Sequence, residues 1–159
     1  MTLSIRPATP ADVPVILRFV RELAAFEREP DAVEATEAML ERALFTERAA
    51  EAAIAERDGE PVGFAVFFHN FSTWTGRKGL YLEDLYVTPD ARGSGVGKAL
   101  LRHLARLAIE RDCARFEWAV LDWNQPAIDF YTAQGAEMQA DWRIERVTGS
   151  ALARLAETD

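Results

Sequence analysis

"LYVTPDARGSGVGKALLRHLARLA", residues 85–108, decides the fold. It joins an apolar strand end to a turn, three alternating glycines and a long helical stripe. Val96, Leu100, Leu104 and Leu107 recur at helical spacing. Two common glycine patterns fail on Gly93, Gly95 and Gly97. A dinucleotide fingerprint needs G-x-G-x-x-G, and its third glycine falls on Lys98 or Leu100. A P-loop needs glycine where Arg92 stands and a hydroxyl where Ala99 stands. What remains is R-G-x-G-x-G, with a helix beginning inside it. Glycine lets the backbone approach a ligand closely. The first four N–H groups of a helix lack internal partners, and with the helix dipole they form an anion site. Arg92 and Lys98 stand at that positive end, where a cation is disfavoured by about 0.3–1 kcal/mol. A bound phosphate reverses the sign. Taken alone, the loop fits equally well a glycine-rich turn with two solvated cations.

Outward from this stretch, strands and helices alternate, which gives a mixed α/β class. "TLSIRPAT" reads as a strand. A helix follows, begun by Thr9-Pro10 or capped by Asp12, and runs to about Phe26 with Val13, Ile16, Leu17, Val20 and Leu23 as its stripe. "REPDAV" breaks the chain before a second helix over 36–45. "EAAIAERDGEPVGFAVFFHNF" reads as a hairpin about Asp58-Gly59. "LYLEDLYV" and "ARFEWAVL" are strands flanking the long helix. "NQPAIDFYTAQG" is a short helix capped by Asn124 and stopped by Gly135. "EMQA" and "WRIERV" suggest a strand pair before a last short helix. There is no repeat and no linker, so one domain over 1–159 is expected.

Composition narrows the function. The chain has 159 residues, 49% hydrophobic and 28% charged, and suits a globular protein. Eighteen Lys and Arg against 26 Asp and Glu leave a net charge of −8. That balance argues against nucleic acid and tolerates a cationic small molecule. The single Cys113 excludes an internal disulfide framework and fits a reducing compartment. Arg6, Pro7, Pro10 and Asp12 interrupt any apolar leader, and no apolar run reaches membrane-spanning length. A cytoplasmic protein without membrane partners is expected. His69 and His103 lack ligand spacing, so no metal is expected. Arg102 and Arg106 read as a solvated helix face, and Cys113 as a packed thiol.

The stretches "IRPAT", "ELAAFE", "LYLEDLYV", "RGSGVG" and "DWNQPAIDFYTAQGA" give the chain a resemblance to the GCN5-related N-acetyltransferases. The family signature R/Q-x-x-G-x-G/A is met by Arg92 to Gly97. More narrowly, the chain resembles the diamine branch, the spermidine/spermine and thialysine acetyltransferases. The resemblance implies a central mixed, mostly antiparallel twisted sheet of about seven strands, flanked by four to five helices and splayed at an acetyl-CoA site. It implies acetyl-CoA as cofactor and a homodimer. Leu85, Tyr86 and Val87 would meet the pantetheine arm. Arg92, Gly93, Ser94, Gly95, Val96, Gly97 and Lys98 would hold the diphosphate. Asn124, Gln125, Pro126 and Ala127 would approach the cofactor from the next helix start.

Acetyl transfer to an amine needs a neutral amine, a stabilised carbonyl oxygen and a proton for the departing thiolate. Neutralising an amine of pKa about 10.4 at pH 7 costs roughly 4–5 kcal/mol. By family position Glu83 is the expected base. Alternation places Glu83 and Asp84 on opposite faces of their strand, so that one serves the thioester and the other binds the cation or is structural. By the same resemblance Tyr131 is the expected acid. From spacing alone, Tyr131 reads as a packed helix aromatic. The resemblance also implies a bulge in the strand before the loop, where a Leu85 or Tyr86 N–H would hold the oxyanion. Phe26, Glu27, Trp74, Glu117, Trp118 and Ala119 match positions that line the amine channel. Phe26 stands nearer the thialysine than the spermidine type. The shorter "ERDGE" hairpin and the acidic segment after the first helix depart from the animal members, which leaves the amine open. The alternatives are a protein or peptide N-acetyltransferase and a non-catalytic acyl-CoA sensor.

Overall fold

The computed structural model describes residues 2–157. Its sheet runs in the order β1 (Leu3–Pro7), β2 (Glu51–Arg57), β3 (Glu60–Ser72), β4 (Arg77–Val87) and β5 (Phe116–Trp118). The first three pairings are antiparallel and β4 with β5 is parallel. The helices are α1 (Val13–Phe26), α2 (Glu37–Glu41, continued by a π-turn at Arg42–Thr46), α3 (Val96–Glu110), α4 (Gln125–Ala133) and α5 (Gly149–Ala156). The chain divides between Leu121 and Asp122 into two compact units. The sheet and α1 to α3 belong to the first, α4 and α5 to the second.

Local chemistry explains the first unit. A 3₁₀ turn, Pro10–Asp12, leads into α1, and the Thr9 N–H donates to Asp12 Oδ2 at 2.7 Å. The two candidate helix starts are therefore successive parts of one entry. Val13, Ile16, Leu17 and Phe19 are buried as the stripe requires. Asp58 and Gly59 have φ of 52° and 84°, the doubly left-handed turn that matches strand twist in a two-residue hairpin. Helix α3 comes down on Gly63, where a Cβ would stand 2.7 Å from the Tyr86 carbonyl oxygen and 3.4 Å from Val96. Val96, Leu100 and Leu104 seal that face. On the other face Phe19 packs 5.5 Å from both Phe64 and Tyr86, beside Ile16, Ile54 and Leu44.

Strand β4 changes faces midway. Leu82 pairs with Phe67 and Asp84 with Val66, so Glu83 is an extra, unpaired residue. Phe67 shares the face of Gly63, under α3, whereas Val66 shares the face of Phe64, under α1. Leu80 and Leu82 thus serve the α3 layer, while Asp84 and Tyr86 serve the α1 layer. A bulge re-aims side chains in this way and sharpens local twist.

Five strands form, not about seven. The segments "EMQA" and "WRIERV" are not strands. A strand needs a neighbour to satisfy its backbone, and the second unit contains no strand among the described residues. The expected strand "ARFEWAVL" shortens to Phe116–Trp118. Its last pair, Trp118 with Leu82, lies immediately before the bulge at Glu83, where β4 twists away.

Candidate active site

From Glu83 to Val87, β4 pairs with β3 alone, because β5 has already parted from it. The sheet is open along that edge. Leu85 and Val87 are half-buried there and Tyr86 is 5% exposed. The strand then feeds the glycine loop. Gly93 and Gly95 have φ of 76° and 89°, left-handed values that cost an L side chain about 1–2 kcal/mol. A Cβ at either would meet nothing within 4 Å, so conformation and not crowding calls for glycine. The first bond into α3 is from the Ala99 N–H to the Gly95 carbonyl at 3.0 Å. Among the described residues, the N–H groups from Gly93 to Lys98 donate to no backbone acceptor. These orphan donors, with Lys98 beside them, fit a diphosphate.

Two side chains brace this loop. Ser94 Oγ accepts from Arg57 Nη2 at 2.9 Å and donates to the Ala91 carbonyl. Arg92 turns back from the loop. Its Nε donates to the Val87 carbonyl at 3.0 Å, and its guanidinium lies 5.2 Å from the Phe26 ring centre and 5.6 Å from that of Tyr86. The Arg92 side chain thus ties the loop to the end of α1, and the diphosphate contacts expected of residues 92–98 are largely those of main-chain N–H groups.

That end carries Glu27. Burial, then the charge of Glu83, holds Glu27 above the usual carboxylate range. Burial, then Glu83, then Glu27 pushes Asp84 up to about 6. Tyr81 is raised by burial, then Glu83, then Glu117. Among the described residues, no ion pair neutralises Glu27, Glu83 or Asp84. Simple alternation set Glu83 and Asp84 apart. Through the bulge, Glu83 instead acts electrostatically on both Glu27 and Asp84, and Glu27 acts on Asp84. Three carboxylates of one sign in a partly dry corner make a site for a cation.

The other expected channel residues are spread out. Phe26 is 47% exposed beside Arg92. Glu117 accepts from Asn70 Nδ2 at 3.4 Å, Trp118 packs on Phe116 with ring centres 4.9 Å apart, and Ala119 is exposed past the end of β5. Trp74 lies in the β3–β4 turn, 80% exposed. Glu83 stands six residues into β4 from that turn, about 20 Å along an extended strand.

In the second unit, Asn124 Oδ1 accepts from the Ala127 N–H at 3.3 Å and caps α4, with Pro126 in the first turn. Gln125 Nε2 donates to Asp129 at 2.7 Å. Tyr131 is half-buried, its ring 5.5 Å from that of Phe130. Gly135, φ 98°, follows the helix.

Arg57 escaped the sequence reading. Its only signal was a cation just before the Asp58-Gly59 turn, and its reach to Ser94 depends on strand register. Among the described residues, no helix is long and apolar enough to cross a membrane.

With this geometry in place, the similarities to known proteins agree. The Acetyltransferase (GNAT) family profile matches residues 17–136. Thialysine N-epsilon-acetyltransferase of Sus scrofa is 38% identical over 164 residues, covering 96% of each chain. L-ornithine N5-acetyltransferase NATA1 of Arabidopsis thaliana is 31% identical over 194 residues, covering 93% of this chain and 85% of its own. The structure of an integron cassette protein of V. cholerae superposes with a TM-score of 0.82 at 27% identity over 99% of both chains. An open sheet edge, an orphan-amide helix start and a family match across both place the chain in the GNAT family of acetyltransferases.

Proposed function

We propose that this enzyme transfers the acetyl group of acetyl-CoA to a primary amine of a small diamine, polyamine or thialysine-like substrate, by direct attack in a ternary complex. The observation that carries the reading is the unneutralised trio Glu27, Glu83 and Asp84 beside the open edge of β4. Acetyl-CoA supplies the activated acyl group. The chain supplies everything else. Its loop amides at 93–98 grip phosphate, and the main-chain groups of Leu85 to Val87 line the opened edge for the pantetheine arm. The carboxylates draw in a doubly charged amine and accept the proton of the attacking nitrogen. Glu83 on the bulge is the base, and Tyr131 Oη returns a proton to the leaving sulfur. A phenol with an ordinary pKa near 10 is protonated at neutral pH and is able to donate.

One observation favours a second acceptor. Asp84, pushed up to about 6, lies nearer the working pH than an ordinary carboxylate and suits a general base better. The pH–rate profiles of Glu83→Gln and Asp84→Asn separate the two: the true base removes the limb. The names of the thialysine and ornithine relatives support a substrate carrying a second charged group. We place the enzyme in the cytoplasm as a homodimer, on family likeness. Free thiol released from acetyl-CoA across diamines, polyamines, thialysine, amino acids and peptides tests the reading. Small diamino substrates should turn over fastest. Preference for peptides, or cofactor binding without thiol release from any amine, would overturn it.

A further inference from the structure

Three elements meet on Arg111, the residue that follows the last turn of α3. Its Nη2 and Nη1 donate to Glu51 Oε1 and Oε2 at 2.8 and 2.6 Å, a forked pair with the first residue of β2. Its Nη1 also stands 3.3 Å from His69 Nε2 on β3. The guanidinium lies 5.9 Å from the Phe67 ring centre. Glu51 is opposite Phe67 in the β2–β3 register, and Phe67 and His69 share the face under α3. The clasp therefore pins the C-terminal end of α3 to the sheet, at the other end of the helix from the glycine loop.

A guanidinium only donates, so His69 accepts from it only with Nε2 bare and the ring proton on Nδ1. Protonating Nε2 removes the acceptor and sets a second cation against Arg111. The imidazolium also competes for Glu51, whose two oxygens Arg111 occupies. The surrounding charges favour the neutral ring. Burial, then Arg111 from the end of α3, then Lys78 from β4, holds His69 below the ordinary imidazole range, against Glu51 from β2. Arg111 first of all holds Glu51 below the usual carboxylate range, so Glu51 stays charged while His69 titrates. Arg48, just before β2, acts on Glu51, and Cys113 and Glu110 act on Arg111. Asp112 pairs with Arg77 at 3.0 Å. His69 is exposed, so protons reach it in the folded chain. We infer that His69 is an acid-operated latch on α3: neutral, it shares Arg111 with Glu51; protonated, it expels Arg111 and loosens that end of the helix.

The sign follows from linkage. A folded chain that binds His69 its proton less readily than the unfolded one is stabilised above about pH 6.5, and loses that stability as pH falls through the folded value. An ¹⁵N NMR titration of the His69 ring tests the chemistry. The wild type should carry its proton on Nδ1 above a midpoint lower than about 6.5. Arg111→Gln removes the cation and keeps Glu51, and should raise the midpoint by about half a pH unit or more. Glu51→Gln should lower it. Arg111→Lys keeps the charge and should leave it low, which separates repulsion from loss of fold. Amide exchange reads the latch itself. Corrected for intrinsic pH dependence, the Cys113 N–H, bonded to the Ala108 carbonyl at 2.8 Å, should lose protection as pH falls through the midpoint. The loss should be about threefold or more, the scale of a local opening. His69→Gln offers an acceptor that takes no proton and should abolish that loss. Asp84 responds with the opposite sign, since its protonation favours the folded chain. A proton on Nε2, a midpoint unmoved by Arg111→Gln, or a protection profile identical in wild type and His69→Gln overturns the inference. Neither measurement uses cofactor or amine, so the outcome is independent of the acetyl-transfer reading.

Discussion

Two clusters of ionised side chains in the first unit show what environment does to a carboxylate. At one corner Arg6 sits between Asp12 and Glu56, with contacts of 2.8 and 2.6 Å. The Arg6 guanidinium holds Asp12 down at about 2 against the opposing effect of burial. At the other, no ion pair among the described residues reaches Glu27, Glu83 or Asp84, and burial with like charge pushes Asp84 up to about 6. The first corner ties β1 to the entry of α1 and to β2. The second has no such ion pair among the described residues, and by our reading it awaits a charged amine. A paired carboxylate is a strut; an unpaired one is poised to exchange a proton.

The contrast is sharpest in catalysis. Glu83→Gln should lower kcat/KM by about 10²-fold or more and flatten the pH limb assigned to the base, in a steady-state thiol-release assay. An unchanged profile would remove Glu83 from that role. Tyr131→Phe should lower turnover by about 10–100-fold with acetyl-CoA affinity largely intact by calorimetry. Undiminished turnover in a chemistry-limited assay would return Tyr131 to packing.

Stability responds in opposite directions at the two corners. Arg6→Gln leaves Asp12 and Glu56 partly buried and unpaired, and should cost about 2–3 kcal/mol in urea unfolding at pH 7, somewhat below a fully buried pair because Arg6 is partly solvated. Asp84→Asn should stabilise. Its folded pKa is raised, so the native state binds more protons between about pH 4 and 6, and wild-type stability falls as pH rises through that window. The Asn variant should gain roughly 3 kcal/mol at pH 7.5 and nothing below pH 3.5. A loss of stability at pH 7.5 would mean that Asp84 is a strut after all.

How much of this was legible in the sequence depends on the range of the interactions. Helices α1 and α3, the Asp58-Gly59 turn and the Asn124 cap follow from neighbours within four residues, and the sequence patterns locate them. The glycine loop was legible as a candidate because φ above zero has few residues able to adopt it. The bulge in β4 was expected from the family resemblance alone and not from the residues, since it is a mismatch between two strands and leaves no mark on either alone. It also decides which face Asp84 takes, where β5 ends, and why the splayed edge lies beside the carboxylates. Arg57 and the side-chain contacts of Arg92 were missed for the same reason: their partners, Ser94 and Phe26, are chosen by tertiary packing. The strand pair expected after Gly135 had the right alternation, but in its own unit it has no sheet to join.

The most direct test follows Asp84 itself. A ¹³C carboxyl NMR titration, with and without a saturating small diamine, reads the charge that the patch feels. A bound dication favours the ionised form, so the account predicts that the titration near 6 moves down into the ordinary carboxylate range or below. A midpoint that stays near 6 while the diamine is being acetylated would contradict the account.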